Sequence, residues 1–177
     1  VLVGGPPCQA YSIVGRSRRA NDPDFEKDEK HFLYKEYLKI IVDHQPPVFV
    51  MENVKGLLSA KVEGVPVIEK IICDLARPKA ALTDNENGLH YDLFSLADSG
   101  DLTKEVSPEQ FLIRAEEYGI PQARHRIFIL GVRSDLKLRP ELLEKKPAIT
   151  LRDAIGDLPP VRSGISRERD SFDSWFK

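Results

Sequence analysis

Apolar residues along the chain fall into helically spaced stretches separated by short continuous runs. Residues 32–44 and 65–75 carry apolar side chains three and four positions apart, which predicts two amphipathic helices. Residues 1–3 and 48–51 are continuous apolar runs, as expected for strands that are buried on both faces of a sheet. The remaining predicted elements are strands at residues 111–113 and 126–132 and a short helix at residues 150–158.

Strands that alternate with helices predict an α/β fold with a mostly parallel sheet and flanking helices. Ligands of such sheets bind beyond the carboxyl ends of the strands. The loop at residues 4–12 and the pair Glu52-Asn53 each follow a predicted strand. We therefore expect Cys8 and Glu52 to lie on the same rim of the sheet.

The polar stretches suggest how the chain is organised. Residues 1–160 are interpreted as part of one catalytic domain, within which the polar residues 79–108 are a predicted insertion or mobile loop. Residues 161–177 are polar and are interpreted as the start of a linker. The chain opens on a bare strand with no lead-in, so we expect it to be a piece of a longer protein.

Composition narrows the classes of protein but does not indicate a partner. The 177 residues are 41% hydrophobic and 31% charged, with a formal net charge of -2, so a nucleic-acid surface would have to be a local patch. Two cysteines, Cys8 and Cys73, make a disulfide framework unlikely and exclude a four-thiolate metal site. No apolar run is long enough to span a membrane, and we expect a cytoplasmic location.

Cys8 is the candidate nucleophile. It follows a predicted strand and a Gly-Gly-Pro-Pro run, whose two prolines stiffen the backbone and fix where the sulfur points. Most unpaired cysteines are simply buried, and that interpretation is kept for Cys73, which lies within the apolar helix at residues 65–75.

Polar residues that follow the later strands could complete a site. Glu52 is expected to be desolvated and to donate a proton, and Asn53 could hold the Cys8 loop through hydrogen bonds to its backbone. Gln122, Arg124 and Arg126 alternate, so in an extended segment they would project to one side and could bind a base oxygen and phosphates. Ordinary ion pairs at the edge of a sheet are the structural alternative for these residues.

Together these segments resemble the cytosine-5 DNA methyltransferase family. Residues 4–12 (GGPPCQAYS) resemble its nucleophile motif, residues 49–57 (FVMENVKGL) its Glu-Asn-Val motif, and residues 118–127 (YGIPQARHRI) its Gln-x-Arg-x-Arg motif. Residues 150–159 (TLRDAIGDLP) are similar to the segment that supports the target-recognition lobe. Four motifs in the family's order are a far more specific signal than any one alone.

The resemblance implies a partial Rossmann-like methyltransferase fold, S-adenosyl-L-methionine as methyl donor and double-stranded DNA as substrate. Cys8 would bond covalently to C6 of a flipped cytosine, with Glu52 contacting N3 and N4 and with Arg124 and Arg126 holding O2. The other residues assigned through the resemblance are the DNA-contact candidates Gln9, Ser12, Asn53 and Gln122 and the cofactor contacts Pro7 and Leu33.

Two departures from the family pattern change the expectation for the chain by itself. Neither the family's glycine-rich cofactor loop nor its variable DNA-reading lobe is found. We therefore expect the chain alone to lack the amino-terminal cofactor half and the target-recognition domain, to bind the methyl donor weakly and to be inactive.

Four other classes of protein are alternatives to a cytosine-5 DNA methyltransferase. A zinc deaminase needs Pro-Cys-x-x-Cys, and Tyr11 stands where the second cysteine would be, which excludes that class. No spacing supports a Cys-His hydrolase. A catalytically silent DNA-binding fragment and an RNA-directed relative stay open, although the latter's Cys-Phe-Thr run is not found.

Overall fold

The computed structural model describes residues 1–7, 33–62, 64–83, 87–98, 107–158, 164 and 171–176. Its strands are β1 Leu2–Gly4, β2 Val48–Val54, β3 Lys61–Val62, β4 Val65–Pro66, β5 Tyr91–Phe94, β6 Leu112–Arg114 and β7 His125–Arg133. Its α-helices are α1 Tyr34–His44, α2 Val67–Ala76, α3 Pro78–Thr83, α4 Leu151–Ile155 and α5 Phe172–Phe176. Single turns of 3-10 helix cover Lys55–Ser59, Pro108–Phe111, Ala115–Glu117 and Ser134–Leu136.

One sheet organises these elements around β7. The strand order is β1-β2-β7-β5, and β6 also pairs with β7. β1 pairs with β2 in parallel, whereas β2, β5 and β6 each pair with β7 antiparallel. One edge of β7 therefore carries β2, while the other edge is divided between β6 at the beginning of the strand and β5 at its end. A separate hairpin joins β3 to β4.

The core lies on one face of this sheet, here called the core face. Side chains alternate along a strand, so Phe49, Met51 and Asn53 of β2 point to the core face, and each is at most 2% exposed. The ring of Phe49 packs edge-on against Tyr37 of α1 at a centroid distance of 6.1 Å and against Tyr91 of β5 at 5.1 Å. Phe49 thus joins a helix and two strands in one apolar cluster.

Helices α1 and α2 cover the core face because their apolar residues recur at helical spacing. Buried positions are Tyr34, Tyr37, Leu38 and Ile41 in α1 and Val67, Ile68, Ile71 and Leu75 in α2. As Gln45-Pro46-Pro47 predicts, α1 ends there: Gln45 adopts a left-handed conformation (φ 45°) and its N–H bonds to the carbonyl of Ile41 at 2.8 Å.

The α/β class with flanking helices is confirmed, but the sheet is mixed rather than mostly parallel. Among the described strands, β1 and β2 form the one parallel pair. β6 returns into β7 through the tight turn at residues 118–124, and such short connections produce antiparallel pairs. β2 is also longer than predicted and includes Glu52 and Asn53, and its second face is only half-buried.

Three further expectations need correction. Residues 79–108, in which no element was predicted, contain most of α3 and all of β5, a strand of the main sheet. Cys73 is exposed rather than buried, because it lies 200° around α2 from the buried Ile71 at 100° per residue. Val65 is also exposed, since it belongs to β4 and precedes the helix that was predicted to include it.

The contact between Phe49 and Gly131 predicts a cost for adding a methyl group. Gly131 lies opposite Phe49 in the register of β2 and β7, and a Cβ at Gly131 would be 2.2 Å from the phenyl ring. We expect Gly131→Ala to lower the free energy of unfolding by about 1–3 kcal/mol, measured by urea denaturation. In a Phe49→Leu background the same substitution should cost less. An equal cost in both backgrounds would contradict this packing argument.

Candidate functional site

The acidic and basic residues of the site meet on the opposite face of the sheet. Glu52 of β2 pairs with Phe128 of β7 in the strand register, and Arg126 lies two residues before Phe128, so all three project to the same side. Nε of Arg126 is 3.1 Å from Oε1 of Glu52, and the two side chains are 24% and 35% exposed. The sheet therefore brings together two predicted site residues that are 74 positions apart.

The expectation that Glu52 is desolvated is wrong for the described chain, because its carboxylate is partly exposed and paired with a guanidinium. The same carboxylate lies against the start of the predicted nucleophile loop. A Cβ placed on Gly5 would be 3.2 Å from Oε2 of Glu52, so a residue larger than glycine would crowd this carboxylate. Cys8 is three residues further on and, like Gln9 and Ser12, lies outside the described residues.

Asn53 ties that loop to the sheet from the core face. Its side chain is 2% exposed, and its Nδ2 donates a hydrogen bond to the carbonyl of Pro6 at 3.3 Å. Its Oδ1 accepts from the backbone N–H of Val54 at 2.9 Å. The predicted hydrogen bond from Asn53 to the loop backbone is thus present, and the buried position leaves this side chain facing away from Glu52.

The segment before β7 is a tight turn rather than an extended strand. Gln122 N–H bonds to the carbonyl of Ile120 at 2.7 Å, and Arg124 N–H bonds to that of Gln122 at 2.8 Å. Because two successive turns replace the extended conformation, Gln122, Arg124 and Arg126 do not form one regular row. Arg124 still reaches the pocket that contains Arg126, whereas Gln122 does not line it.

A pocket of about 500 Å³ surrounds these charged groups, which is within the ~300–1,000 Å³ typical of small-molecule sites. We call it the charged pocket. Its charged members are Glu52, Arg124, Arg126, Glu144 and Lys146, and its other members are Leu96, Ile113, Ala115, Tyr118, Ile120, Phe128 and Leu143. The apolar members could not be recognised as site residues from the sequence, because they come from four separate segments that only the fold brings together.

A hydrogen bond between His125 and Glu116 anchors the hairpin that carries both arginines. Nε2 of His125 is 2.6 Å from Oε1 of Glu116, and Nη1 of Arg126 donates to the carbonyl of His125 at 2.8 Å. Ala115 N–H also bonds to the carbonyl of Arg124 at 3.0 Å. The backbone just before Arg126 is therefore held by contacts to the turn Ala115–Glu117.

The candidate cofactor contacts lie apart from this pocket. Pro7 is exposed in the loop after β1, and the half-buried Leu33 precedes α1. Neither residue lines the charged pocket. Within the described ranges, no group of three or more His, Cys, Asp or Glu side chains is placed to hold a metal ion, and no helix is long and apolar enough to cross a membrane.

Comparison with known proteins assigns these features to one family. The model of the C-5 cytosine-specific DNA methylase family matches residues 1–77 and 104–172. The matched ranges include Glu52, Arg124 and Arg126, and they leave out residues 78–103, which contain α3 and β5.

Individual relatives agree with this match. The chain is 31% identical over 173 residues to the type II methyltransferase M.MthTI of Methanothermobacter thermautotrophicus, covering 96% of the chain and 42% of that protein. It is 30% identical to M.Bpa9945I of Bacillus paralicheniformis, covering 92% of the chain and 33% of that protein. The chain thus spans less than half the length of these relatives.

The fold also matches a solved structure. A prophage-encoded protein of E. coli, assigned as a DNA modification methyltransferase, superposes with a TM-score of 0.55 at 23% sequence identity. The superposition covers 92% of the present chain and 36% of the other. At this identity the likeness supports the fold and says nothing further about the chemistry.

The buried hydrogen bond of Asn53 predicts a stability effect. Asn53→Ala removes the donor to the Pro6 carbonyl, and we expect the free energy of unfolding to fall by about 1–3 kcal/mol in urea denaturation. Gln122→Ala is the matched control, because that amide is exposed and its loss should change stability by less than about 0.5 kcal/mol. Similar effects of the two substitutions would rule out a stabilising role for the Asn53 bond.

The Glu116 carboxylate predicts a pH effect. Its pKa is lowered from 4.5 by a backbone hydrogen bond at Glu116 and, second, by the hydrogen bond with His125. A lowered folded-state pKa stabilises the fold above the unfolded value and loses that contribution as pH falls through the folded-state pKa. The free energy of unfolding should therefore decline less on acidification below pH 4.5 in Glu116→Gln than in the wild type.

His125→Ala provides an intermediate case for the same titration. It removes the second cause of the lowered Glu116 pKa and leaves the backbone hydrogen bond in place. Its acid dependence should fall between those of the wild type and Glu116→Gln. Superimposable acid profiles for all three proteins would show that the pair does not contribute.

Proposed function

The chain belongs to the C-5 cytosine-specific DNA methylase family, and we propose that it supplies the base-handling part of a DNA cytosine-5 methyltransferase. The reaction proposed is transfer of a methyl group from S-adenosyl-L-methionine to C5 of a cytosine flipped out of duplex DNA. Because the chain covers less than half of its relatives, the activity is proposed for the complete protein in which this sequence occurs.

One observation carries the proposal. Glu52 lies between Arg126, at 3.1 Å, and the backbone of Gly5, which begins the loop that leads to Cys8. A carboxyl group, a guanidinium group and the first residues of the loop that leads to Cys8 are thus collected at one end of β2. These are the groups needed to hold the polar edge of a pyrimidine while a nucleophile approaches its ring.

Cys8 is proposed as the nucleophile. C5 of cytosine is a weak nucleophile, and addition of a thiolate to C6 moves electron density onto C5. C5 would then take the methyl group, leaving the donor as a neutral thioether, give up its hydrogen as a proton to solvent, and release the Cys8 thiolate as the C6–S bond breaks. Asn53 supports this role indirectly, because its bond to the Pro6 carbonyl fixes the backbone two residues before Cys8.

Glu52, Arg126 and Arg124 are proposed to bind the base. Glu52 would donate to N3 in its protonated form and accept from N4, while the arginines would donate to O2. Before binding, the ion pair between Glu52 and Arg126 would hold both side chains in position. It would separate, at least in part, as the base enters. Gln9, Ser12 and Gln122 are proposed to contact DNA outside the base pocket.

S-adenosyl-L-methionine is proposed as the donor because the family uses it, with Pro7 and Leu33 as contacts. Pro7 is exposed, Leu33 is half-buried, and neither residue lines the charged pocket. No step is therefore assigned to the donor beyond supplying the methyl group. The match to the C-5 cytosine-specific DNA methylase family supports DNA as substrate, and the double-stranded form and a cytoplasmic location are proposed with it.

Covalent trapping tests the proposal. The assay uses a random-sequence duplex that contains 5-fluorocytosine, with S-adenosyl-L-methionine present. Because the C5 fluorine cannot be removed in the way that a proton is, the C6–S bond is not released and the adduct with Cys8 should persist. Denaturing gel electrophoresis should show a DNA-shifted band for the complete protein. Cys8→Ser should abolish that band.

Cys73→Ser is the matched control, because Cys73 is an exposed free cysteine on α2, away from the proposed site. It should form the adduct at the rate of the wild type. A band that persists in Cys8→Ser would refute the nucleophile assignment. Tight DNA binding without any adduct in the wild type would instead indicate a catalytically silent DNA-binding protein.

A further inference from the structure

The charged pocket has an apolar side built by segments outside the two motifs that line it, residues 49–57 and 118–127. Two of its members, Leu96 and Leu143, come from the connection after β5 and from the segment after β7. Leu143 N–H donates to the carbonyl of Leu96 at 2.8 Å, so the two backbones are joined where their side chains line the pocket. We call this pair the leucine wall.

The backbone around Leu96 is fixed by its neighbour. Ser95 is 4% exposed, and its hydroxyl donates to the carbonyl of Gln110. The same oxygen accepts hydrogen bonds from the N–H groups of Ala97 and Asp98, each at 3.0 Å. A buried hydroxyl with three partners holds the chain on both sides of Leu96, so its position in the pocket is defined by more than its own contacts.

The other half of the wall is anchored further along the chain. Lys146 N–H donates to the carbonyl of Glu117 at 3.0 Å, and Nζ of Lys145 is 2.6 Å from a carboxylate oxygen of Glu117. Residues 143–146 are therefore fixed at Leu96 on one side and at Glu117 on the other. Leu143 is nevertheless 45% exposed, which leaves apolar surface available for a ligand to cover.

One half of the leucine wall lies outside the residues that the family model matches. Leu96 lies within residues 78–103, which the family model leaves unmatched. The charged residues of the pocket thus lie in segments that the family model matches, whereas the leucine wall depends in part on residues 78–103, which the model does not match.

We propose that Leu96 and Leu143 pack against the extruded base and determine how firmly it is retained beside Glu52 and Arg126. The proposal rests on the proposed function, since it takes the ligand of the charged pocket to be a flipped cytosine. Hydrogen bonds to the polar edge of a base leave its faces uncovered, and apolar side chains can supply contact that the faces lose when the base leaves the stack.

The test separates retention of the base from binding of the DNA. Sequencing the duplexes trapped by the wild-type protein identifies the target site. The rate of adduct formation at saturating DNA then reports how well the 5-fluorocytosine is held in the pocket. The Kd for the same duplex with an abasic site at the target position reports DNA binding without a base.

Leu143→Ala should slow adduct formation roughly 10-fold or more, because an apolar pocket contact is removed. Its Kd for the abasic duplex should stay within about 2-fold of the wild type. Leu142→Ala is the matched control, since Leu142 is 44% exposed and does not line the pocket, and it should change neither quantity. Leu96→Ala should behave like Leu143→Ala, and Leu143→Met should restore most of the rate.

Two outcomes would overturn the leucine wall. An unchanged rate in Leu143→Ala would show that the base does not use this surface. A parallel loss of rate and of abasic-duplex affinity would show that Leu143 acts on DNA binding or on the fold. If the wild-type protein forms no adduct at all, the proposed function itself fails, and the leucine wall fails with it.

Discussion

The register between β2 and β7 is the constraint on which the fold and the site both depend. Seven residue pairs, from Val48 opposite Val132 to Val54 opposite Arg126, set which side chains share a face. A slip of β2 by one residue would move Glu52 onto the core face and Asn53 onto the other. The apolar cluster around Phe49 opposes that slip, because it would place the phenyl ring on the wrong side of the sheet.

Because of this register, the residues that stabilise the fold and the residues of the proposed site lie on opposite faces of the sheet. Phe49, Met51 and their partners in α1 and α2 bury apolar surface on one face, so the other face can hold partly exposed charged groups. Asn53 links the two, because it is buried with the core yet bonds to the loop that leads to Cys8. Apolar packing on one face thus holds the loop whose chemistry is proposed for the other.

Much of this arrangement could be predicted from the sequence, because local patterns specified it. Helical spacing located α1 and α2, and continuous apolar runs located β2 and β7. The predicted strand ends indicated that Cys8 and Glu52 share one rim of the sheet, and Gly5, three residues before Cys8, does lie against Glu52, while Cys8 itself is outside the described residues. These features depend on periodicity and on residue chemistry, both of which are visible in a single chain.

The remaining features depend on contacts between distant segments. β5 is four residues in a polar stretch and is a strand because β7 offers it an edge. Before β7 the backbone turns at residues 120–124 through hydrogen bonds between nearby residues. For this reason Gln122, Arg124 and Arg126 do not form the regular row that an extended segment would give. Leu96 and Leu143 are unremarkable in the sequence, and only the tertiary fold brings them to the same pocket.

The hydroxyl of Ser95 has a consequence for how such a protein can change over generations. Its hydrogen bond to the Gln110 carbonyl joins the chain just after β5 to the chain just before β6. Lengthening a loop whose ends are already held together costs little, since each doubling adds only about 0.6 kcal/mol of closure entropy. Insertions, deletions or replacements between Asp98 and Ser107 would therefore leave the sheet and the leucine wall unchanged, which makes this stretch a place where new surface can be acquired without refolding the protein.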